Sequence, residues 1–144
     1  GDNFDLETSN VVPALIRKAH EARVADSPDF SVWGSGDPLR ELLHVDDLAD
    51  ACLFLMDNYN DPELINVGCG EDISIRTLAE TIADVVGYTG DLKYDSSRPD
   101  GTPRKVLDVS RLFDLGWKPQ IDLREGLEQT YDWYVSNCGA PAAN

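Results

Sequence analysis

Several groups of residues have types and spacings that could do chemistry. Asp46, Asp47 and Asp50 put three carboxylates on one helical turn, a pattern able to hold a hard cation such as magnesium. The same residues suit a helix start, with Asp46 as the cap and the others at the positive end of the helix. The second reading is favoured, because no other acidic cluster faces them in sequence. His20 and His44 are the only imidazoles. A nucleophilic triad would need Ser at a strained Gly-x-Ser-x-Gly elbow, and Gly34-Ser35-Gly36 supplies only its centre. His44 therefore reads as a packing or capping group at a strand end. Gly68-Cys69-Gly70 sits where a dinucleotide fingerprint would, but Ile73 stands in place of its third glycine. It reads as a plain strand-to-helix turn. Cys52, Cys69 and Cys138 have no metal-ligand spacing, with each other or with His, so no metal site is expected.

The cations raise a different possibility. The chain has 144 residues, with 27 acids against 12 bases and a net charge of −15. In so acidic a chain, Arg17, Lys18, Arg40, Arg98, Arg104 and Lys105 are candidates for an anion site. Arg offers a planar fork for phosphate and Lys a point charge. Trp33 lies between Lys18 and Arg40 in sequence and could pack against a sugar or base. The competing reading is scattered surface ion pairs. The residues alone stop at an α/β domain able to bind a phosphorylated small molecule.

The charge excludes nucleic acid as a polymer partner, which needs a basic face, and disfavours an anionic membrane surface. No run of ~18 apolar residues is present to span a bilayer. Three widely spaced cysteines form no disulfide framework and fit a reduced, cytoplasmic setting. The first residue is Gly, not Met, and the start reads as the middle of a loop; the small, polar end, 138–144, reads as a flexible tail.

These groups must be positioned by an alternation of helices and strands. Apolar periodicity predicts helices over about Ser9–Ala25, Val45–Tyr59 and Ile75–Val86, and a fourth after Asp122. In the second, Val45, Leu48, Ala49, Cys52, Leu55, Met56 and Tyr59 form the stripe expected to be buried. Ser74 and Asp122 are the expected N-caps, and Gly87 the expected terminator of the third helix. A short helical turn follows Asp108. Extended segments are predicted at Phe30–Trp33, Glu41–His44, Leu64–Val67, Leu92–Tyr94 and Lys105–Leu107. The alternation predicts an α/β fold with short parallel pieces.

Longer motifs carry a family resemblance. Val32-Trp33-Gly34-Ser35-Gly36-x-Pro38-x-Arg40-Glu41, His44-Val45-Asp46-Asp47-Leu48-Ala49 and Ile65-Asn66-Val67-Gly68 resemble the extended short-chain dehydrogenase/reductases. Within them, the first run and Pro99-Asp100-Gly101-Thr102-Pro103-Arg104-Lys105 are similar to the GDP-L-fucose synthase branch. The resemblance implies the C-terminal half only: a substrate-binding portion over 1–137 with a late piece of a Rossmann sheet. It implies conversion of GDP-4-keto-6-deoxy-mannose to GDP-L-fucose by 3,5-epimerisation and 4-keto reduction with NADP, in a cytoplasmic enzyme, a homodimer at full length. The glycine-rich cofactor loop and the Tyr-x-x-x-Lys pair are missing from this sequence, so no catalytic residue is expected here and the chain alone should be inactive. Position by position, the family's GDP-sugar contacts fall on Lys18, Trp33, Arg40 and Asp100. Asn10 stands where the family usually has the His that is the proposed epimerisation acid. Asn can hydrogen-bond at a cofactor-side position but cannot donate a proton near neutral pH. A stand-alone nucleotide-sugar module and an enzyme of another nucleotide sugar are the alternatives. Apolar faces that the missing half would cover should be exposed.

Overall fold

The computed structural model describes residues 1–138; the rest of the predicted tail, 139–144, lies outside the described residues. In chain order the elements are α1 (Val11–Val24), β1 (Asp29–Trp33), β2 (Leu39–Glu41), α2 (Val45–Asn58) and β3 (Asp72–Ser74). They continue with α3 (Ile75–Val86), β4 (Asp91–Asp95), β5 (Arg104–Lys105), α4 (Ser110–Asp114) and α5 (Leu123–Asn137). The predicted α/β class holds. β1 and β4 pair in parallel, with Asp29 opposite Asp91 and Trp33 opposite Asp95. β2 lies between β3 and β5, antiparallel to the first and parallel to the second, so Arg40 sits opposite Ile73 and Lys105.

Local chemistry sets the helix ends. Ser74 Oγ accepts from the Thr77 N–H at 3.0 Å, and Asp122 Oδ1 accepts from the Glu125 N–H at 2.9 Å. Gly87 closes α3 in the left-handed conformation. At α2 the expected cap is corrected: Val45 is already helical, so His44 is the N-cap and its ring Nδ1 accepts from the Asp46 N–H.

The main core gathers Leu15, Ile16 and Ala19 of α1, Leu78, Ile82 and Val86 of α3, and Leu127, Tyr131 and Tyr134 of α5 around Phe30 and Val32 of β1. His20 is buried there, its Nδ1 3.0 Å from the Tyr131 hydroxyl. A smaller core unites Ala51 of α2 with Leu112 and Trp117.

Three strand expectations are corrected. Leu64–Val67 is irregular: no strand of the described residues pairs with it, and Leu64 is exposed. The strand expected at Glu41–His44 lies at Leu39–Glu41, because 42–44 turn into α2. The last strand covers Arg104–Lys105 and not Lys105–Leu107: the Leu107 N–H is drawn instead to the Glu41 carboxylate at 2.7 Å. β3 had no apolar alternation to announce it and exists through its pairing with β2. The α2 stripe is also corrected. Val45, Leu48, Cys52 and Met56 are exposed, and the inward face is Asp47, Ala51, Phe54 and Leu55. Among the described residues, no helix is long and apolar enough to cross a membrane.

Candidate functional site

β1, β2 and the loop after β4 converge on a cavity of about 160 Å³ lined by Val11, Trp33, Gly36, Pro38, Arg40, Ile75, Pro99, Asp100 and Gly101. Three predicted residues, Trp33, Arg40 and Asp100, share it. Lys18 joins from α1: its Nζ donates to the Ser31 carbonyl at 3.0 Å and lies 4.6 Å from the centre of the Trp33 ring. Asn10, the N-cap of α1, precedes the lining residue Val11, and its side chain makes no cap hydrogen bond.

The sequence builds this arrangement by short steps. Trp33 ends β1, and Gly34 turns the chain at φ +83°. A side chain at Gly34 would collide with Asp100 Oδ1, so glycine is required both for the turn and for the approach. The Asp100 carboxylate then takes two bonds from Ser35, from its N–H at 2.8 Å and its Oγ at 2.7 Å. These bonds, the hydroxyl's first, hold the Asp100 carboxyl below the usual carboxylate range. Arg76 supports the turn from α3, donating to the Ser35 carbonyl at 2.7 Å, with its guanidinium 4.0 Å from the Tyr94 ring centre.

Arg40 works on the other wall. Its Nη1 donates to the Leu39 carbonyl at 2.6 Å and the Thr102 carbonyl at 2.7 Å, which ties the loop to β2. Lys18 is half-buried, and burial first, then the charge of Arg98, lowers its pKa below the ordinary lysine value. Asp100 is thus partly committed to the fold. Each oxygen that accepts from Ser35 keeps further acceptor capacity for a ligand hydroxyl or amine.

The cavity is small beside the ~300–1,000 Å³ of a whole-ligand pocket. It can enclose one part of a nucleotide-sized ligand, with the rest lying over the half-open Trp33 and Lys18. A larger cavity of about 630 Å³, reaching from Phe4 to His44 and Trp133, includes none of the predicted site residues. Sequence reading missed Ser35 and Arg76, whose roles depend on contacts dozens of residues away.

The other candidate sites resolve as structure. Asp47 is buried and accepts from the Gln120 and Ile121 N–H groups at 3.1 and 3.0 Å; Asp50 accepts from the Trp117 indole at 2.8 Å. Among the described residues, no group of three or more His, Cys, Asp or Glu could hold a metal. The turn at Gly68-Cys69-Gly70 is filled by Glu41, whose Oε1 accepts from the Gly70 N–H at 2.7 Å. A Cβ at Gly68 would strike that same carboxylate.

Residues 1–68 match the NAD dependent epimerase/dehydratase family. The chain is 56% identical over 136 residues to GDP-L-fucose synthase 1 of Arabidopsis thaliana, covering 94% of this chain and 42% of that protein. It is 51% identical over 145 residues to GDP-L-fucose synthase of Escherichia coli K12, covering 94% of this chain and 45% of that protein. The crystal structure of a GDP-L-fucose synthetase from Naegleria fowleri bound to NADP matches with a TM-score of 0.88 and 33% identity. That match covers 94% of this chain and 43% of the other.

The fold is α/β, and its first 68 residues are similar to the NAD dependent epimerase/dehydratase family. The proteins this chain is similar to over nearly its whole length include GDP-L-fucose synthases and, at 35% identity, a GDP-L-colitose synthase of Yersinia pseudotuberculosis. The chain spans less than half the length of those relatives.

Proposed function

We propose that this chain is the GDP-sugar-binding portion, residues 1–137, of an NADP-dependent enzyme that converts GDP-4-keto-6-deoxy-mannose to GDP-L-fucose. The observation that carries the reading is the convergence of Trp33, Arg40 and Asp100 on one cavity, with Lys18 against the Trp33 ring. Lys18 and Arg40 neutralise the diphosphate, Trp33 offers a flat apolar face, and Asp100 accepts from a hydroxyl or amine of the nucleotide.

The described residues offer little to a nicotinamide cofactor: Gly68-Cys69-Gly70 is closed by Glu41, leaving Asn10 as the cofactor-side candidate. NADP would be held by the part of the enzyme that this chain does not span, where it supplies the hydride. The chain alone should turn over no GDP-4-keto-6-deoxy-mannose with NADPH.

Calorimetric titration of the chain with GDP tests the binding role. Lys18→Ala and Arg40→Ala should each weaken GDP about tenfold, the scale of one charge-assisted hydrogen bond. No heat with the wild type, or variants equal to wild type, would sink the reading. The pH dependence has a defined sign. The charged form of Lys18 binds the anion, and its pKa is lowered, so affinity falls as pH rises, starting below the usual lysine range. The Lys18→Ala variant should lose that alkaline limb.

A second reading, an enzyme of a different nucleotide sugar, rests on Asn10. Its side chain caps no helix N–H and its neighbour Val11 lines the cavity, yet an Asn cannot protonate a carbanion. Substrate competition in the complete enzyme separates the two.

A further inference from the structure

We infer that Arg98 is a further ligand-binding residue of this site, acting with Lys18 and Arg40 on the diphosphate of a nucleoside diphosphate. The inference rests on the GDP-sugar reading above and adds a residue to it.

The argument is electrostatic. Arg17, Arg76, Lys93, Arg104 and Arg124 each have a carboxylate within ion-pair distance. Seven bases have no such ion pair among the described residues, Lys18, Arg23, Arg40, Arg98, Lys105, Arg111 and Lys118, and of these Lys18 and Arg98 lie over Trp33 while Arg40 lines the same cavity. The nearby carboxylates stop short of ion-pair distance from Arg98: Asp95 accepts from the Ser97 hydroxyl and N–H, and Asp100 accepts from Ser35. The Arg98 guanidinium lies 4.5 Å from the centre of the same Trp33 ring that Lys18 approaches at 4.6 Å. Two like charges over one half-open indole repel each other, and the lowered Lys18 pKa reflects burial first and that repulsion second. The Trp33 contact leaves the N–H fork of Arg98 available, and that fork matches a phosphate in two-pronged geometry. An anion bridging Lys18 and Arg98 from the solvent side would turn their repulsion into shared attraction. Arg98 and Lys18 already lie over the indole, so what Arg98 adds to a nucleotide is its N–H fork, which suits the phosphate.

Titrations of the chain with GDP and with guanosine test this. Arg98→Gln should weaken GDP about tenfold, as loss of one charged hydrogen-bonding group does, and leave guanosine unchanged. Arg98→Lys should fall between, because it keeps charge without the fork. Circular dichroism and the melting temperature of each variant should match wild type. GDP binding by Arg98→Gln within twofold of wild type overturns the inference and leaves the GDP-sugar reading standing. Equal losses for GDP and guanosine also overturn it, because Arg98 would then act through Trp33 or the fold. A wild-type chain that binds no GDP overturns both.

Discussion

α2 and α3 are both amphipathic helices of similar length, yet they meet the rest of the chain in opposite ways. α3 buries Ile75, Leu78, Ala79, Ile82, Ala83 and Val86 between α1 and α5. α2 buries only Asp47 and Ala51, while Leu53 and Met56 are 63% and 80% exposed. α3 is held by apolar burial, which is non-directional and scales with area. α2 is held by directed bonds from Asp47 and Asp50 and by a small contact with Leu112 and Trp117. An apolar residue on a helix is therefore not evidence of burial; what matters is whether the chain supplies a surface to meet it.

The largest expected effect breaks the well-packed side. Leu78 is 0% exposed, and Leu78→Ala should cost about 2–5 kcal/mol in urea unfolding, the range for deleting a buried leucine. A loss under about 0.5 kcal/mol would mean that α3 is not the centre of the core. Next comes the polar anchor of α2. Asp47→Ala strands the Gln120 and Ile121 N–H groups and should cost about 1–3 kcal/mol. Asp47→Asn offers one acceptor oxygen in place of two, so its loss should be smaller. An equal loss for both would make charge, not acceptor count, the anchor.

Ser74→Ala should cost about 1 kcal/mol, since it removes the cap bond to the Thr77 N–H and the exposed hydrogen bond between the Ser74 and Thr77 hydroxyls. Calorimetric melts check this directly, and an unchanged melting temperature would show that packing alone sets the start of α3.

The same contrast explains what was legible in the sequence. α3 carries its instructions locally: the Ser74 cap, a clean stripe and the Gly87 terminator lie within or beside the helix. α2 is apolar on two sides, and the choice between them is made by Leu112 and Trp117, more than fifty positions later. Of the stripe read from the sequence, Val45, Leu48, Ala49, Cys52 and Met56 face outward, while Leu55 packs on the small core. At the candidate site, residue types and spacing suggested an anion site and no more. The particular set Lys18, Trp33, Arg40 and Asp100 came from family resemblance. Their meeting depends on the β2–β5 pairing and the Ser35–Asp100 bonds, neither of which leaves a local pattern.

The smallest expected effect on folding sharpens the comparison most. Met56→Lys and Leu53→Lys change side chains that the described residues leave open to solvent, so stability should move by no more than about 0.5 kcal/mol. Lysine keeps good helix propensity, so α2 itself should persist. The apolar patch, however, should shrink. Such patches bind dyes such as 1-anilinonaphthalene-8-sulfonate, so dye fluorescence should drop in the double variant while the melting temperature stays put. A loss of 2 kcal/mol or so, on the scale of a core deletion, would mean that these side chains are buried in solution. The contrast between the two helices would then be gone. Unchanged dye binding with unchanged stability would move the accessible apolar surface elsewhere, toward the cavity between Phe4, His44 and Trp133. The paired measurement therefore separates a helix whose outer face awaits a partner from one that only looks bare.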